Sequence, residues 1–546
     1  MAAGRGVRRG AAAEALALWR GRRAAAGGGA DRRYATYLGA MLMLVCVAPA
    51  ARALWLAGSD PEVVQALTGA AAPRIAGICA AAVWIGALLV GRVRGPALRP
   101  PTLASVLARS AHSRAAAFGG AVVRSGWSLV AVTAAAGACF GALLVRHAVP
   151  GTGLAGLDSM GAELLAALTG AAGGAGVGAC AGAIAAIAWL AGQAAPRAAG
   201  PIAAGIAILV GVTEALPEIA RVTPWGWIAD AWAAAARLAT APDAGPGWTT
   251  PGAALAAFAL ALLPAAPALL ARLETAVLEG QAARWESSAV HAFGMDFSSA
   301  LAGYVPRPSA LRRVRAVRDR AGGAAAAGLV RVFLVRDAVG AARAPARLVG
   351  GAIGVAVAGP LVALASVAPA PGAAIGVLGA GGAVLAFAAL GPFTDGLRHA
   401  AAIAADLPLY GVDDAHLLLL HSAFPLSAVL VLMGAAALTF SVVAGVGPLA
   451  PVLGAAAIGV AALIARANAA LKGPMPLRLL ASIPTPAGDL SGAVRLLWAV
   501  DGVLLVALAG AIAPLALHAP AWGFVAVAPI GLLVAIGIGR WRGRRA

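Results

Sequence analysis

Charged residues are scarce in this 546-residue sequence. Asp, Glu, Lys and Arg together make up 12% of it, against about 25% in soluble domains, and 61% of the residues are hydrophobic. A water-soluble domain could not bury so much apolar surface, so a soluble globular fold is excluded. Apolar segments of about 20 residues, long enough to cross about 30 Å of hydrocarbon, recur along the whole chain. The sequence therefore predicts an all-α polytopic membrane protein.

Nucleotide-binding and catalytic motifs are also missing. The Walker A loop requires Gly-Lys-Ser/Thr, but the only lysine, Lys472, is followed by Gly473 and Pro474. The seven histidines show neither HExxH nor HxxxH spacing, and no GxSxG occurs. We therefore expect no enzyme activity and no catalytic, cofactor or metal site. Asp60 and Glu62 resemble the acidic pair of membrane glycosyltransferases for lipid-linked sugars, but those enzymes usually carry longer outer loops or an outer domain.

Cysteine is rare, and its positions exclude a disulfide framework. The four cysteines lie inside predicted spans and form no CxxC pair, whereas a disulfide framework needs cysteines in outer loops. We expect them to be small packing residues. They are Cys46, Cys79, Cys139 and Cys180.

The apolar segments and the basic residues together predict twelve spans and their orientation. The spans are 34–56, 75–90, 126–148, 162–191, 199–219, 252–270, 348–367, 372–392, 423–444, 450–465, 496–514 and 521–539. With the N-terminus inside, 36 of the 41 Lys and Arg residues fall on the inner side and five on the outer side. This bias follows the positive-inside rule, and predicts a plasma-membrane protein with both termini cytoplasmic. The net charge of +19 then reflects topology and attraction to anionic membrane lipids rather than nucleic-acid binding.

The N-terminal region and the layout of the spans indicate four domains. Ala48-Pro49-Ala50 resembles a signal-peptidase site, but a basic stretch of 33 residues precedes the apolar run, and we expect a retained first helix. The starts of three early spans, at 75, 126 and 199, recur 297 positions later at 372, 423 and 496, as expected for an internal repeat. The predicted domains are a cytoplasmic segment with an interfacial helix (1–33), a first six-helix half (34–270), a basic cytoplasmic linker (271–347) and a second six-helix half (348–546).

Two segments on the predicted inner side occupy matching places in the two halves. Pro101-Thr102 predicts a helix that runs through Leu103 to Phe118, with Thr102 as its N-cap. Asp413 and Asp414 likewise predict a capped helix that begins at Ala415 and continues into span nine, because acidic side chains favour helix N-termini. This correspondence makes them candidates for a repeated functional element.

Ionisable residues inside spans are candidates for function because their burial in lipid is costly. Glu214 and Glu218 lie one turn apart at the outer end of span five and could share a face with Arg221. Asp501 lies in span eleven, within possible reach of Arg495. For each of them, structural pairing and a role in a gate or pathway both remain open.

The outer segment after span five is rich in tryptophan. Residues 224–232 read Pro-Trp-Gly-Trp-Ile-Ala-Asp-Ala-Trp, and tryptophans commonly anchor a protein at the membrane interface. The density around Trp225 and Trp227 predicts a short helix that lies in the outer leaflet or dips into it.

Span four carries a stripe of glycines at four-residue spacing. Small residues at this spacing let membrane helices approach closely, whereas a phosphate-binding glycine loop follows a strand and opens a helix. We expect close helix packing here. The stripe consists of Gly170, Gly174, Gly178 and Gly182.

This layout resembles the permease of an ABC-2 type exporter, and more narrowly a group of actinobacterial permease-like proteins that fuse two such halves. The resemblance rests on hydropathy and on short motifs. These are Gly95-Pro96 with the following helix, Pro224-Trp225-Gly226-Trp227, Leu407-Pro408-Leu409-Tyr410 before the Asp413 cap, and Ile483-Pro484-Thr485-Pro486-Ala487-Gly488.

The resemblance implies a membrane subunit that recruits a separate ABC ATPase at its inner face and exports a lipid, a peptide or an amphipathic drug. Its implied docking segments are 102–118 and 398–421. The candidate docking residues are Thr102, Leu103, Arg109, Arg398, Asp413 and Asp414; the candidate gate or pathway residues are Glu214, Glu218, Asp501, Trp225 and Trp227.

Two other functions remain open. A secondary transporter of the major facilitator type also has twelve spans, but its usual Gly-x-x-x-Asp-Arg-x-Gly-Arg loop is absent, since residues 91–96 read Gly-Arg-Val-Arg-Gly-Pro. A non-transporting membrane scaffold that binds a partner at its inner surface is the third possibility.

Overall fold

The computed structural model describes residues 67–146, 156–240, 249–305, 308–311, 326–367, 373–403, 412–473, 475–485, 488–518 and 523–545, with a few isolated positions besides. The chain divides into two compact units, unit 1 from Met1 to Val290 and unit 2 from His291 to Ala546. The division falls inside the predicted linker 271–347. The predicted interfacial helix of the N-terminal segment, span 34–56, Asp60, Glu62 and 407–410 lie essentially outside the described residues.

Unit 1 consists of helices throughout its described part. In chain order they are α1 (Ala72–Val93), α2 (Pro101–Arg109), α3 (Arg114–Arg146), α4 (Gly156–Ala194), α5 (Ala199–Ala215), α6 (Pro217–Ala220), α7 (Pro224–Thr240), α8 (Thr249–Leu262), α9 (Ala265–Ala271) and α10 (Thr275–Phe293). One core cluster lies among α1, α4, α7 and α8 around Trp84 and Leu255. A second cluster packs α2 against α3, α4, α9 and α10 around Phe118 and Leu190.

Unit 2 is also helical in its described part, apart from one short strand pair. Its helices are α11 (Phe297–Ala302), α12 (Ala326–Ala342), α13 (Pro345–Val367), α14 (Ala373–Ala389), α15 (Asp395–Ile403), α16 (Asp414–Ala428), α17 (Gly434–Ala444), α18 (Leu449–Leu471), α19 (Ser491–His518) and α20 (Gly523–Arg545). Strands β1 (Pro484–Thr485) and β2 (Gly488–Asp489) pair antiparallel. The core lies among α13, α14, α16, α18 and α19 and includes the fully buried Met433 and Ile458.

Apart from that strand pair, the regular structure of the described residues is helical, as in a polytopic membrane protein. Within the described residues, eight helices are long and apolar enough to cross a membrane, or nine if a pair bent by 47° at Leu390 forms one span. The eight are Ala72–Val93, Arg114–Val145, Leu164–Ala194, Thr249–Ala271, Pro345–Val367, Asp414–Ala444, Leu449–Leu471 and Ser491–Pro514, and the bent pair is Ile375–Ala389 with Gly391–Ile403. Each overlaps one of the twelve predicted spans.

The glycine stripe packs two helices backbone to backbone, as predicted. A Cβ on Gly174 would overlap the Gly137 carbonyl oxygen of α3, and one on Gly178 would overlap the carbonyl of Thr133. Gly170 and Gly141 face each other in the same way. Because helices α3 and α4 leave no room for side chains along this seam, small residues there determine how closely they approach.

Two predicted helices are broken where the sequence suggested continuity. The helix expected from Thr102 to Phe118 ends at Arg109, and α3 begins at Arg114 after a turn at 110–113. Thr102 is not its N-cap, because the helix already begins at Pro101 and Pro100 is the cap. Proline is favoured in the first turn of a helix, where its missing N–H has no partner to lose.

Span five is likewise shorter than the predicted range 199–219. Helix α5 ends at Ala215, and Leu216 leaves helical geometry with φ of −126° and ψ of 83°. The cause is Pro217, since the residue before proline is disfavoured in the α conformation. Glu214 and Glu218 therefore lie on different helices and do not share a face.

Candidate functional site

Helix α2 presents one face to the protein and another to its surroundings. Ala104, Leu107 and Ala108 are buried in the second core cluster of unit 1, while Thr102, Val106 and Arg109 are exposed. Exposed positions four and three residues apart lie along one helix face. Leu103, another predicted docking residue, is half-buried and packs against the same cluster as the buried face.

A buried amide network holds the connection between α1 and α2. Gln281 of α10 accepts hydrogen bonds on Oε1 from the Gly95 backbone N–H and from Gln193 Nε2, each at 2.8 Å. Its Nε2 donates to the carbonyl oxygens of Gly91 at 3.0 Å and Arg92 at 3.2 Å. Both glutamine residues are 1% exposed. The network therefore ties the end of α1 to α4 and α10 at one point.

The other glutamine anchors the chain on its way into α2. Gln193 Oε1 accepts from the Ala97 backbone N–H at 3.0 Å. A Cβ on Gly95 would overlap the Gln193 side chain, so the predicted Gly95-Pro96 motif has a steric explanation at its glycine. Trp189 Nε1 donates to the Arg94 carbonyl at 2.6 Å, which adds a further contact from α4.

The far end of α2 is joined to α10 by an exposed ion pair. Arg109 forms a two-pronged contact with Glu279, with Nε to Oε1 at 2.8 Å and Nη2 to Oε2 at 3.2 Å. Hydrogen bonding from the guanidinium lowers the pKa of the Glu279 carboxyl, and the same contact raises the pKa of Arg109. Arg114 continues this contact region by donating to Thr275 Oγ1 at 2.8 Å.

Helix α15 of unit 2 has the same length and surface pattern as α2. Both helices have nine residues and follow a long apolar helix of their unit. In α15, Leu397, Ala400 and Ala401 are buried. The exposed positions are Asp395, Arg398, His399 and Ala402. The structural counterpart of α2 is therefore α15, which begins before the Asp413 segment that the sequence suggested as its match.

Two arginines hold the break between α14 and α15. Arg466 of α18 donates to the carbonyl oxygens of Phe387 at 2.6 Å and Ala388 at 2.8 Å. Arg347 of α13 donates to the Gly391 carbonyl at 3.1 Å and to the Asp395 carboxylate. These bonds satisfy carbonyl groups that a helix end leaves without intrahelical partners.

The remaining candidate docking residues in unit 2 have different partners. They are Arg398, Asp413 and Asp414. Arg398 pairs with Asp395 on the exposed side of α15. Asp413 caps α16 as predicted, because its Oδ1 accepts from the His416 backbone N–H at 2.6 Å. Asp414 is the first residue of the helix, one position earlier than expected.

The acidic candidates of span five have different partners. Glu214 pairs with Arg74 near the start of α1. Glu218 lies on the short helix α6 and pairs with Arg221, the residue that follows this helix as its C-cap. The first pair links α1 to α5. The second is local and highly exposed, which makes it a weak contributor to stability.

The tryptophan-rich segment forms helix α7, which packs against α1 and α8. Trp225 is 8% exposed and its Nε1 donates to Thr213 Oγ1 at 3.1 Å. Trp227 Nε1 donates to the Arg221 carbonyl at 2.9 Å. The expectation of a helix here is confirmed.

A cavity of about 200 Å³ lies beside Trp225. Its lining includes Arg74 and Glu214, the two members of the α1–α5 ion pair, together with Thr213 and Asp230. The structure thus brings together two predicted gate residues, Glu214 and Trp225, and adds Arg74. Trp227 and Glu218 do not line this cavity.

Asp501 contacts other partners than the predicted Arg495. It bonds to Lys472 Nζ at 2.9 Å and to Arg540, while Arg495 bonds to Ser491. The carboxylate joins α19 to the C-terminal ends of α18 and α20. The Lys472 ammonium also lies over the ring of Trp498, with Nζ 4.3 Å from the ring centroid.

Sequence reasoning missed a buried contact between a histidine and an aspartate in unit 2. His421 Nδ1 lies 2.7 Å from Asp337 Oδ2, and the two side chains are 1% and 7% exposed. A Cβ on Gly396 would overlap both groups, so the first turn of α15 lies directly against them. The only available signal was a histidine within a predicted docking segment, and its partner is 84 residues away.

The described residues contain no group of three or more His, Cys, Asp or Glu side chains that could hold a metal ion. The chain matches no protein-family model, no curated protein and no solved structure.

Proposed function

We propose that this chain is the membrane permease subunit of an ATP-driven exporter of the ABC-2 type, with twelve spans, both termini in the cytoplasm and a separate ABC ATPase. The observation that supports it is the pair α2 and α15. Each is a nine-residue amphipathic helix with an exposed face, located in an equivalent place in its unit.

The anchoring of α2 suits a helix that transmits force. A docked ATPase pushes on the exposed face at Thr102, Val106 and Arg109, and the amide network around Gln281 passes that displacement to α1 and α4. In unit 2 the contacts of Arg347 with Asp395 and Gly391 pass displacement of α15 to α13. Rigid, fully hydrogen-bonded connections lose little of such a movement to local deformation.

The cavity beside Trp225 fits a gate at the opposite end of unit 1. The Arg74–Glu214 pair closes α1 against α5 in the described conformation, and separating these helices breaks it. Since exposed ion pairs contribute about 0–1 kcal/mol, such a contact opens at a small cost.

Affinity purification from native membranes tests docking. We compare Val106→Asp on α2 and Ala402→Asp on α15 with Val290→Asp on α10, because Val106 and Val290 are both 66% exposed. The proposal expects a co-purifying ABC ATPase with the unaltered protein and with Val290→Asp, and its loss with Val106→Asp. Retention of the ATPase by Val106→Asp and Ala402→Asp alike would contradict docking on these helices.

A proton-coupled secondary transporter is the second candidate, and the buried Asp337–His421 pair favours it. Buried ionisable pairs in membrane proteins commonly serve proton transfer. Flux driven by a proton gradient in vesicles that hold only this protein, abolished by His421→Gln, would support this function over the first.

A further inference from the structure

Unit 2 contains a cavity that the docking function does not use. Its volume is about 300 Å³, at the lower end of the range of about 300–1,000 Å³ for ligand sites. It lies between α12 and the break before α15. The lining residues that matter here are Arg336, Gly340, Arg343, Asp395 and Gly396.

Positive charge is in excess around this cavity. Five arginines lie in or next to its walls against two aspartates, which leaves three positive charges uncompensated when the histidines are neutral. The arginines are Arg336, Arg343, Arg347, Arg398 and Arg466, and the aspartates are Asp337 and Asp395.

Both carboxylates are already engaged. Asp337 pairs with His421, and Asp395 pairs with Arg347 and Arg398. With both carboxylates counted, the arginines still leave an excess of positive charge that attracts an anion. Like charges repel, and the repulsion is strong where water is partly excluded, so an anion among these arginines is stabilised.

Arg343 has unused hydrogen-bonding capacity within this cavity wall. Its Nη2 donates to the Val314 carbonyl at 3.1 Å, but its Nε is buried and has no partner among the residues that the structure describes. A guanidinium presents donors in a planar fork that matches the oxygens of a phosphate group.

The position of Arg343 in the chain places the cavity at the depth of lipid headgroups. Arg343 precedes by two residues the candidate span Pro345–Val367. A cationic cavity next to a span end is located where the phosphate groups of a bilayer lie, and anionic lipids are attracted to such basic sites.

We propose that this cavity binds a phosphate-bearing anion, supplied by the headgroup of an anionic membrane lipid. Arg336 on α12 and Arg343, which directly follows the end of that helix, contact the phosphate oxygens, and Gly340 leaves the space that the headgroup occupies. This binding is independent of any ATPase and of transport.

Native mass spectrometry of the purified protein tests binding directly, with phosphatidylglycerol and phosphatidylcholine as lipid probes. Arg343→Gln is compared with Arg331→Gln, an exposed arginine of α12 that does not line the cavity. We expect phosphatidylglycerol affinity to fall about tenfold or more with Arg343→Gln, through loss of charge-assisted hydrogen bonds, and to stay unchanged with Arg331→Gln.

A second pair of variants separates binding from folding. A Cβ on Gly340 or on Gly350 meets no atom within 4 Å, so a side chain can begin at both positions without a clash, but only Gly340 lines the cavity. Gly340→Leu keeps every charge and is expected to block the lipid, while Gly350→Leu binds it normally. Glycerol 3-phosphate and inorganic phosphate serve as soluble probes. If the soluble probes bind, and lose binding only with Arg343→Gln and Gly340→Leu, while phosphatidylglycerol does not bind, the cavity is a phosphate site whose ligand is a soluble anion and not a lipid. Equal binding of all probes by all four variants would overturn the proposal.

Discussion

Replacement of Gln281 by leucine should loosen the connection between α1 and α2. Leucine has a similar volume but cannot accept from Gly95 N–H or Gln193 Nε2, nor donate to the Gly91 and Arg92 carbonyls. A buried donor without a partner costs about 1–3 kcal/mol. Taking about 2 kcal/mol at the Gly95 amide alone, local opening becomes about 30-fold more frequent, because about 1.4 kcal/mol corresponds to a factor of ten.

Hydrogen exchange measured by mass spectrometry reports this change locally. Amides with native protection exchange through local opening, so the peptide containing Gly95 and Ala97 should exchange about 30-fold faster in Gln281→Leu. Ser287→Leu is the control, because Ser287 is exposed on the same helix and surface substitutions change stability by about 0.5 kcal/mol or less. Unchanged exchange in Gln281→Leu, with the protein folded, would refute the proposed role of the network.

Two further predictions concern unit 2. Gly396→Ala forces a Cβ against Asp337 and His421 and should destabilise the unit by about 1–3 kcal/mol, measured as a lower melting temperature in detergent. Gly434→Ala is the control, because a Cβ there meets open space, and it should not lower the melting temperature. Equal melting temperatures of the two variants would refute the contact. Asp489 accepts hydrogen bonds from the backbone and side chains around its strand turn, which lowers its pKa from 3.8 to about 2. Since the hydrogen bonds stabilise the ionised form, the contribution of Asp489 to folding stability is complete above about pH 4 and is lost as the pH falls through about 2. Carboxyl ¹³C NMR, assigned with Asp489→Asn, should show the titration midpoint of Asp489 near pH 2. A midpoint near pH 4 would contradict the hydrogen bonding.

Hydropathy predicted the locations of the long helices well, because an apolar run of fixed length is a local property of the sequence. Asp413 as a cap was also predictable, since a cap acts within one turn. The break at Leu216 carried a usable signal in Pro217, which the apolar pattern on both sides concealed.

The ion-pair partners could not be read from the sequence. Asp501 has Arg495 six positions earlier in the chain, yet it bonds to Lys472 and Arg540, which other helices bring to it. The same holds for the Gln193–Gln281 contact, whose members are 88 residues apart. Packing between helices determines such pairs, and hydropathy does not indicate which helix faces pack against each other.

The most direct test of the central claim is flux in vesicles that hold the purified chain with and without the co-purifying ATPase. The account predicts export of amphipathic substrates or lipids that requires both the ATPase and ATP, and that fails with Val106→Asp but not with Val290→Asp. Transport by the chain alone, driven by a proton gradient, would contradict it.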